Sequence, residues 1–263
     1  MRGFAWIEAE RAGDLVFDGD PGAARAALEG FCADVDVIVQ PQAHRRKRLL
    51  VADMDSTMIG QECIDELADY AGLKAEVAAI TERAMRGELD FEAALDARVA
   101  LLAGLDAAVI DRCREERVRL TPGARTLVQT MRANGAYALL VSGGFTRFAL
   151  PVADSIGFDA ARANELLIEG TALTGRVARP IVGAEAKRTA LLETAAARGV
   201  PIAETLAVGD GANDIPMLKA AGLGIAYHAK PAAAAAADAR IAANDLTALL
   251  YAQGYARAEW VET

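Results

Sequence analysis

The chain has 263 residues, with 28 lysines and arginines against 37 aspartates and glutamates, which gives a net charge of −9. This acidic balance argues against a broad surface for nucleic acids or for anionic membranes. Two histidines, His44 and His228, are too few for a histidine-rich zinc site, and the three cysteines show no CxxC spacing. If the protein carries out chemistry, carboxylates are therefore expected to perform it.

The first ten residues lack the apolar stretch of a signal peptide, and no stretch of 18 apolar residues is free of charge. From these two observations we expect a cytoplasmic protein that does not span a membrane. The cysteines are then expected to be reduced thiols.

Residues 1–46 are interpreted as a short N-terminal segment and linker. Residues 22–32 have the apolar spacing of a helix, and the β-branched residues 35–39 (VDVIV) predict a strand. The basic run 44–48 (HRRKR) is compatible with an anionic partner, but beside an acidic body we expect a solvated linker. Because so few elements bury little core, this segment is expected to lean on the rest of the chain or to pair two chains in a homodimer.

A helical insertion is predicted at residues 59–119. It follows Leu49–Ala52, an apolar run typical of a buried parallel strand. No strand pattern interrupts the insertion, and glycines separate its predicted helices. These helices are residues 61–71, 74–86, 90–103 and 106–117.

The remainder of the chain alternates between strand and helix patterns. Strands are predicted at residues 137–141, 205–208 and 223–227, and a short antiparallel pair at 165–168 and 172–178. Helices are predicted at 121–133, 147–156, 185–198 and 215–221. This alternation predicts an α/β fold with a Rossmann-like parallel sheet, formed by residues 47–58 and 120–263. Ligands of such sheets bind at the carboxyl ends of the strands.

Acidic residues directly follow the first core strand. Asp53 and Asp55, in the sequence DMDST, point the same way if the extended geometry continues. Two like charges at this distance repel each other unless a cation lies between them or one holds a proton. The alternative is a capping loop with incidental acids.

Two further strand ends carry polar or glycine-rich loops. Ser142, Gly143 and Gly144 offer a hydroxyl and approachable backbone N–H groups, which suit an oxyanion or simply form a tight turn. Residues 209–214 (GDGAND) bring Asp210 and Asp214, whose oxygens could complete a Mg²⁺ site with Asp53 or cap a helix. Lys187, between these loops in the chain, is a surface lysine unless the fold brings it to the same edge.

Taken together and in this order, residues 53–57, Ser142 with Gly143 and Gly144, Lys187 and residues 209–214 resemble the four motifs of haloacid dehalogenase superfamily phosphatases. The helical insertion resembles the cap of that superfamily. Within it, Glu62, residues 81–91 (TERAMRGELDF) and Arg98 resemble the cap of the phosphoserine phosphatase family. The resemblance covers residues 47–255.

The resemblance implies hydrolysis of O-phospho-L-serine, the last step of serine biosynthesis. Asp53 would be the nucleophile, and Asp55 would be the general acid and then the general base. Mg²⁺ would be bound by Asp53, the Asp55 backbone carbonyl and Asp210, with Asp214 either a ligand through water or the residue that orients Lys187. The phosphoryl oxygens would be held by Ser142, Gly143, Lys187 and Asn213. In the cap, Glu62 would pair with the substrate ammonium and Arg98 with its carboxylate, while Met85 and Phe91 would close over the substrate.

The N-terminus departs from the resemblance, because longer members of the family carry a ferredoxin-like regulatory domain for which residues 1–46 are too short. Two other functions stay open at this stage. One is phosphoryl transfer to an alcohol such as homoserine, or hydrolysis of another small phosphomonoester. The other is a non-catalytic sensor of phosphoamino acids, although a binder has no need for a general acid such as Asp55.

Overall fold

A computed structural model describes residues 3–85 and 88–262, apart from the side chain of Met85. Its strands are Gly3–Glu8 (β1), Ala12–Val16 (β2), Leu49–Ala52 (β3), Tyr137–Phe145 (β4), Ala160–Asn164 (β5), Leu166–Glu169 (β6), Ala172–Val177 (β7), Thr205–Gly209 (β8), Leu223–Tyr227 (β9) and Ala239–Ile241 (β10). Its helices are Pro21–Leu28 (α1), Cys63–Tyr70 (α2), Lys74–Met85 (α3), Phe91–Ala100 (α4), Ala108–Arg117 (α5), Ala124–Ala133 (α6), Thr146–Ile156 (α7), Ala184–Ala197 (α8), Ile215–Ala220 (α9), Pro231–Ala236 (α10) and Ala248–Ala252 (α11).

Six strands form one parallel sheet in the order β10-β9-β8-β3-β4-β5. In β3, Leu50 and Ala52 enter the apolar core on one face of the sheet, whereas Leu49 and Val51 enter the core on the other. A strand that is apolar on both faces requires helices on both sides of the sheet. The predicted α/β fold class is confirmed, and β3 lies at the centre of the sheet between β4 and β8.

The helices α2 to α5 lie between β3 and α6, as the sequence predicts. The predicted antiparallel pair is also present, as the hairpin β6–β7. This hairpin is hydrogen-bonded to the helical insertion. The backbone N–H groups of Gly104 and Ala107 donate to the carbonyls of Leu173 and Thr171, each at 2.8 Å. The division of the chain at residues 46, 58 and 119 stays a prediction.

The N-terminal segment differs from the prediction. Strands β1 and β2 form an antiparallel hairpin that the sequence analysis missed, and the predicted strand at residues 35–39 is absent. Instead, the carboxylate of Asp36 accepts hydrogen bonds from the backbone N–H groups of Ala242, Ala243 and Asn244 at 2.7 to 3.3 Å. This anchor ties Asp36 to the residues that directly follow β10, so tertiary contact overrides the strand propensity of the neighbouring valines.

The basic run 44–48 is solvated only in part, because His44, Arg46 and Arg48 are exposed whereas Lys47 is buried. Arg45 forms a two-point ion pair with Asp14, and Arg46 lies 2.7 Å from Glu259. Lys47 is buried, and its ammonium donates to the Ala203 carbonyl at 2.8 Å. The positive charges therefore bind carboxylates and carbonyls of this same chain and fasten the N-terminal segment to the core.

The sequence analysis also missed β5, β10 and α11, which are short and border the sheet or cover it. Among residues 3–85 and 88–262, no helix has both the length and the apolar character needed to cross a membrane.

Candidate active site

The carboxyl ends of the central strands bring the predicted loops together. The backbone N–H of Asp53 donates to the Val208 carbonyl at 2.9 Å, so Asp53 stays in register with β8 for one residue beyond β3. Ser142 and Gly143 belong to the last residues of β4, which is longer than predicted, and Asp210 directly follows β8. The sheet therefore places the first, second and fourth motifs side by side.

Lys187 is fully buried at the centre of this arrangement. Its ammonium lies 2.7 Å from Asp53 Oδ1 and 2.7 Å from Asp214 Oδ1. Burial alone would lower the pKa of Lys187, but the attraction and hydrogen bonds of the two carboxylates raise it above its usual value. The lysine is therefore a fixed positive charge beside Asp53 and not the surface lysine that its sequence position alone favours.

Three buried carboxylates, those of Asp53, Asp210 and Asp214, have oxygens within 4.8 Å of one another. Burial raises the pKa of Asp53 well above its usual value, and Asp214 raises it further. Burial also raises the pKa of Asp210 to about 6, with added repulsion from Asp214. Such a cluster is unfavourable without a compensating cation, and its all-oxygen donor set fits Mg²⁺.

The loop after β8 is shaped around Asp214. A Cβ atom on Gly209 would lie 2.4 Å from the Asp214 carboxyl carbon, so only glycine fits at that position. Asp214 Oδ2 accepts from the backbone N–H groups of Asp210 and Gly211 at 3.2 and 3.0 Å. These bonds fix Asp214 so that its other oxygen meets Lys187.

Asp55 lies on an irregular turn and faces a cavity. Ser56, the next residue, has a left-handed backbone with φ of +52°, which turns the chain sharply after Asp55. Asp55 Oδ1 accepts from the backbone N–H of Cys63, the first residue of α2, at 3.3 Å. Burial raises the pKa of Asp55 to about 7, and the charge of Glu62 contributes. A carboxyl group with this pKa can both donate and accept a proton near neutral pH.

The end of β4 is held by hydrogen bonds from its own side chains and from β5. Ser142 Oγ is buried and accepts from the Gly144 N–H at 2.8 Å, while Asn164 donates to the Gly143 carbonyl at 2.8 Å. A Cβ atom on Gly143 would come within 3.2 Å of the Phe91 ring. Gly143 therefore allows the cap side chain Phe91 to approach the end of β4.

Core and cap residues line one cavity of about 100 Å³. From the predicted set the cavity brings together Asp53, Asp55, Glu62, Phe91, Arg98, Gly143, Asp210 and Asn213. Ser142, Lys187 and Asp214 are fully buried, and each contacts a residue that lines the cavity. The side chain of Met85 lies outside the described part of the structure, so its predicted position over the substrate stays a prediction.

The cap contributes opposite charges to the cavity. Glu62 Oε1 accepts from the Ser56 hydroxyl at 2.8 Å, and Arg98 donates from Nε to the Ala94 carbonyl at 3.2 Å. Burial lowers the pKa of Arg98, although Asp65 and Glu62 oppose the shift. The remaining guanidinium donors of Arg98 are suited to a carboxylate, and Glu62 is suited to an ammonium group.

Sequence reasoning missed several residues that line the cavity. Ile64 and Leu95 supply apolar surface from the predicted cap. Lys230 supplies a second positive charge to the cavity, in addition to that of Arg98. The available signal was positional, because Lys230 follows β9, a neighbour of β8 in the same sheet.

Comparisons with known proteins identify the family to which this chain is similar. The family model for haloacid dehalogenase-like hydrolases matches residues 50–219. A phosphoserine phosphatase of Polaromonas sp. is 51% identical over 189 residues, covering 70% of this chain and 80% of that protein. A phosphoserine phosphatase of Streptomyces coelicolor is 49% identical over 242 residues, covering 91% of this chain and 59% of that protein.

The chain thus spans about three fifths of the length of the Streptomyces protein. Among solved structures, a phospho-aspartyl intermediate analogue of phosphoserine phosphatase matches with a TM-score of 0.73 and 39% identity, over 78% of this chain and 98% of that one. A probable phosphoserine phosphatase from Vibrio cholerae matches with a TM-score of 0.75 and 37% identity, over 92% of this chain and 75% of that one. The superfamily that the motifs predicted is confirmed: the chain belongs to the haloacid dehalogenase-like hydrolase family.

Proposed function

We propose that the protein hydrolyses O-phospho-L-serine to L-serine and phosphate through an aspartyl-phosphate on Asp53, as the last step of serine biosynthesis. One observation carries the proposal: Asp53, Asp55, Glu62 and Arg98 line the same cavity. This cavity combines a nucleophile, a proton donor and a pair of opposite charges for the amino-acid end of the substrate. The names and structures of the relatives support the same substrate.

In the first step, a carboxylate oxygen of Asp53 attacks phosphorus, and the bond from phosphorus to the seryl oxygen breaks. Asp55 gives its proton to that oxygen, because an alkoxide is a poor leaving group. In the second step, Asp55 takes a proton from water, the water oxygen attacks phosphorus, and the Asp53 carboxylate leaves. Covalent catalysis replaces one difficult displacement with two easier ones.

Lys187 keeps its positive charge beside Asp53 in both steps. Attack by a carboxylate on a phosphate dianion brings like charges together, so a fixed cation at 2.7 Å from the nucleophile lowers the barrier. The carboxylates of Asp53 and Asp210 and the backbone carbonyl of Asp55 would hold Mg²⁺, with Asp214 contributing directly or through water. Bound Mg²⁺ supplies further charge neutralisation for the phosphoryl oxygens.

Substrate selection is assigned to the cap. Glu62 is proposed to bind the ammonium group of phosphoserine, and Arg98 its carboxylate. Ser142, Gly143, Lys187 and Asn213 are proposed to bind phosphoryl oxygens. Phe91 and Met85 are proposed to cover the substrate. Both charged partners are needed, because a zwitterion bound by one charge alone leaves the other unpaired.

The proposal also includes activity in the cytoplasm and pairing of two chains through the N-terminal segment. The exposed rings of Phe4 and Trp6 on β1 support the pairing, since large apolar side chains are commonly covered by a partner. Light scattering of the purified protein, compared with a Phe4→Ser/Trp6→Ser variant, tests it: a monomeric wild-type protein would exclude the dimer.

A substrate panel tests the function directly. Phosphate release is measured from O-phospho-L-serine, O-phospho-D-serine, O-phosphothreonine, phosphoethanolamine and p-nitrophenyl phosphate, each with Mg²⁺ and with EDTA, and with and without homoserine. We expect the highest kcat/KM for O-phospho-L-serine and loss of release in EDTA. Preference for another ester, or transfer of phosphate to homoserine, would replace the proposed function.

A further inference from the structure

Acidic residues dominate the cavity into which a phosphate dianion must enter. Asp53, Asp55, Glu62 and Asp210 line it, and the whole chain has a net charge of −9. Among the lining residues that the structure describes, Arg98 and Lys230 carry positive charge. The field at the entrance therefore opposes an anionic substrate unless a local cation offsets it.

Two other cations of the site, Lys187 and Arg98, already have ion-pair partners or a proposed role. Lys187 is fully buried between the carboxylates of Asp53 and Asp214, each at 2.7 Å, so two carboxylates already offset its charge. Arg98 is positioned for the carboxylate end of the proposed substrate. Among the described residues that line the cavity, Lys230 is the cation to which no such role has been assigned.

Lys230 has the geometry for that role. Its backbone N–H donates to the Asp210 carbonyl at 3.0 Å, and helix α10 begins at the next residue, Pro231. The backbone of Lys230 is therefore tied to the loop that carries the proposed metal ligand Asp210. The proline ring restricts φ at Pro231, so the direction of the backbone after Lys230 is restricted as well.

The side chain of Lys230 remains available for a ligand. It is 69% exposed, and its ammonium lies 3.9 Å from Asp210 Oδ2, which is beyond hydrogen-bond distance. An exposed ion pair of this length contributes little stability, so exchanging it for a doubly charged phosphate is favourable. Burial raises the pKa of Asp65 in the predicted cap, and the charge of Lys230 opposes this shift, so the lysine also lies near the cap.

We propose that Lys230 is a substrate-binding residue that recruits the phosphate group of phosphomonoesters at the mouth of the cavity. This inference rests on the proposed function. Because Lys230 acts on the phosphate group, its contribution extends to every phosphomonoester that the protein accepts. Arg98, in contrast, discriminates only between esters with and without a carboxylate.

The test compares Lys230→Met with Lys230→Arg and with Lys219→Met, which removes an exposed lysine on α9. kcat and KM are measured for O-phospho-L-serine and for phosphoethanolamine, which lacks the carboxylate, at low and at high salt. Because steering by charge is screened by salt, Lys230→Met should lower kcat/KM about 10-fold for both esters at low salt, mainly through KM, and less at high salt. Lys230→Arg keeps the charge and should stay within about twofold of the wild-type protein.

Three results would overturn the inference. Lys230→Met could behave as Lys219→Met does, its loss could be confined to phosphoserine, or its loss could be independent of salt. Binding of inorganic phosphate, measured by calorimetry with Mg²⁺, gives a readout that does not depend on turnover. If the wild-type protein cleaves none of the esters, the proposed function fails, whereas equal phosphate affinity in wild type and Lys230→Met removes Lys230 from phosphate binding.

Discussion

The ammonium of Lys187 lies 2.7 Å from Asp53 Oδ1, and both side chains are buried. Asp214, at the same distance from the ammonium, holds it from the other side. The proposed nucleophile Asp53, its counter-charge Lys187 and the carboxylate that holds the counter-charge come from three different parts of the chain. This contact is the centre of the site.

Replacement of Lys187 by methionine should lower kcat with Mg²⁺ present by about 10²–10³-fold, the loss typical of removing one preorganised stabilising group. Lys187→Arg should not restore the rate, because a planar guanidinium does not fit a site built for a compact ammonium. Steady-state kinetics check both variants, with circular dichroism as the control for folding. A Lys187→Met enzyme with wild-type kcat would remove the lysine from the mechanism.

Replacement of the two aspartates of the first motif should have different effects. Asp53→Asn should show no turnover and form no beryllofluoride-stabilised adduct, because the attacking oxygen is gone. Asp55→Asn should lose about 10²–10⁴-fold with phosphoserine, the usual contribution of an acid–base group.

A substrate with a good leaving group separates the two roles. With p-nitrophenyl phosphate, the first step needs little proton transfer, so Asp55→Asn should accumulate phosphorylated protein that mass spectrometry detects. Normal activity of Asp53→Asn would contradict the assignment of the nucleophile.

Arg98→Ala should raise KM for O-phospho-L-serine about 10–100-fold, since a hydrogen bond to a charged group contributes about 1.5–3 kcal/mol. The same variant should change KM for phosphoethanolamine far less, because that ester has the ammonium group but no carboxylate. Glu62→Gln should weaken the binding of both esters, because both carry the ammonium group. Equal effects of Arg98→Ala on the two esters would exclude the arginine from carboxylate recognition.

Mg²⁺ should raise the melting temperature of the protein, because it offsets the repulsion among Asp53, Asp210 and Asp214. At a metal concentration of 100 times Kd, the expected stabilisation is about 2.7 kcal/mol. Asp210→Asn should melt at a higher temperature than the wild-type protein in EDTA and should lose most of the shift with Mg²⁺. Identical melting curves in Mg²⁺ and in EDTA for the wild-type protein would argue against a metal in this cluster.

Gly209→Ala should disrupt the site from beneath, because its Cβ would lie 2.4 Å from the Asp214 carboxyl carbon. Displacing Asp214 loosens Lys187, so we expect both a loss of about 1–3 kcal/mol in the free energy of unfolding and a fall in kcat. Gly60→Ala is the matched control, since a Cβ there meets no atom of the described residues within 4 Å. Equal stability of the two variants in urea would contradict the close packing.

The positions of Asp53, Ser142 and Asp210 could be predicted because each follows a mostly apolar run in the sequence or the glycine after one: LLVA, YALLV and TLAVG. Parallel strands bring their carboxyl ends to one edge, so local patterns suffice to place these residues together. The arrangement of the N-terminal segment could not be predicted this way. Arg46 pairs with Glu259, more than 200 residues away, and Asp36 is bound by residues 242–244. No local pattern encodes such contacts, and strand propensity misleads where they dominate.

The hydrogen bond from the Cys63 backbone to Asp55 ties the proton-transfer group to the first turn of the cap. A rotation of that helix would change the direction of the acid as well as the shape of the substrate pocket. Substitutions at cap residues are therefore expected to alter turnover and affinity together. In this protein, a changed kcat in a cap variant is therefore not sufficient evidence that the altered residue takes part in the reaction.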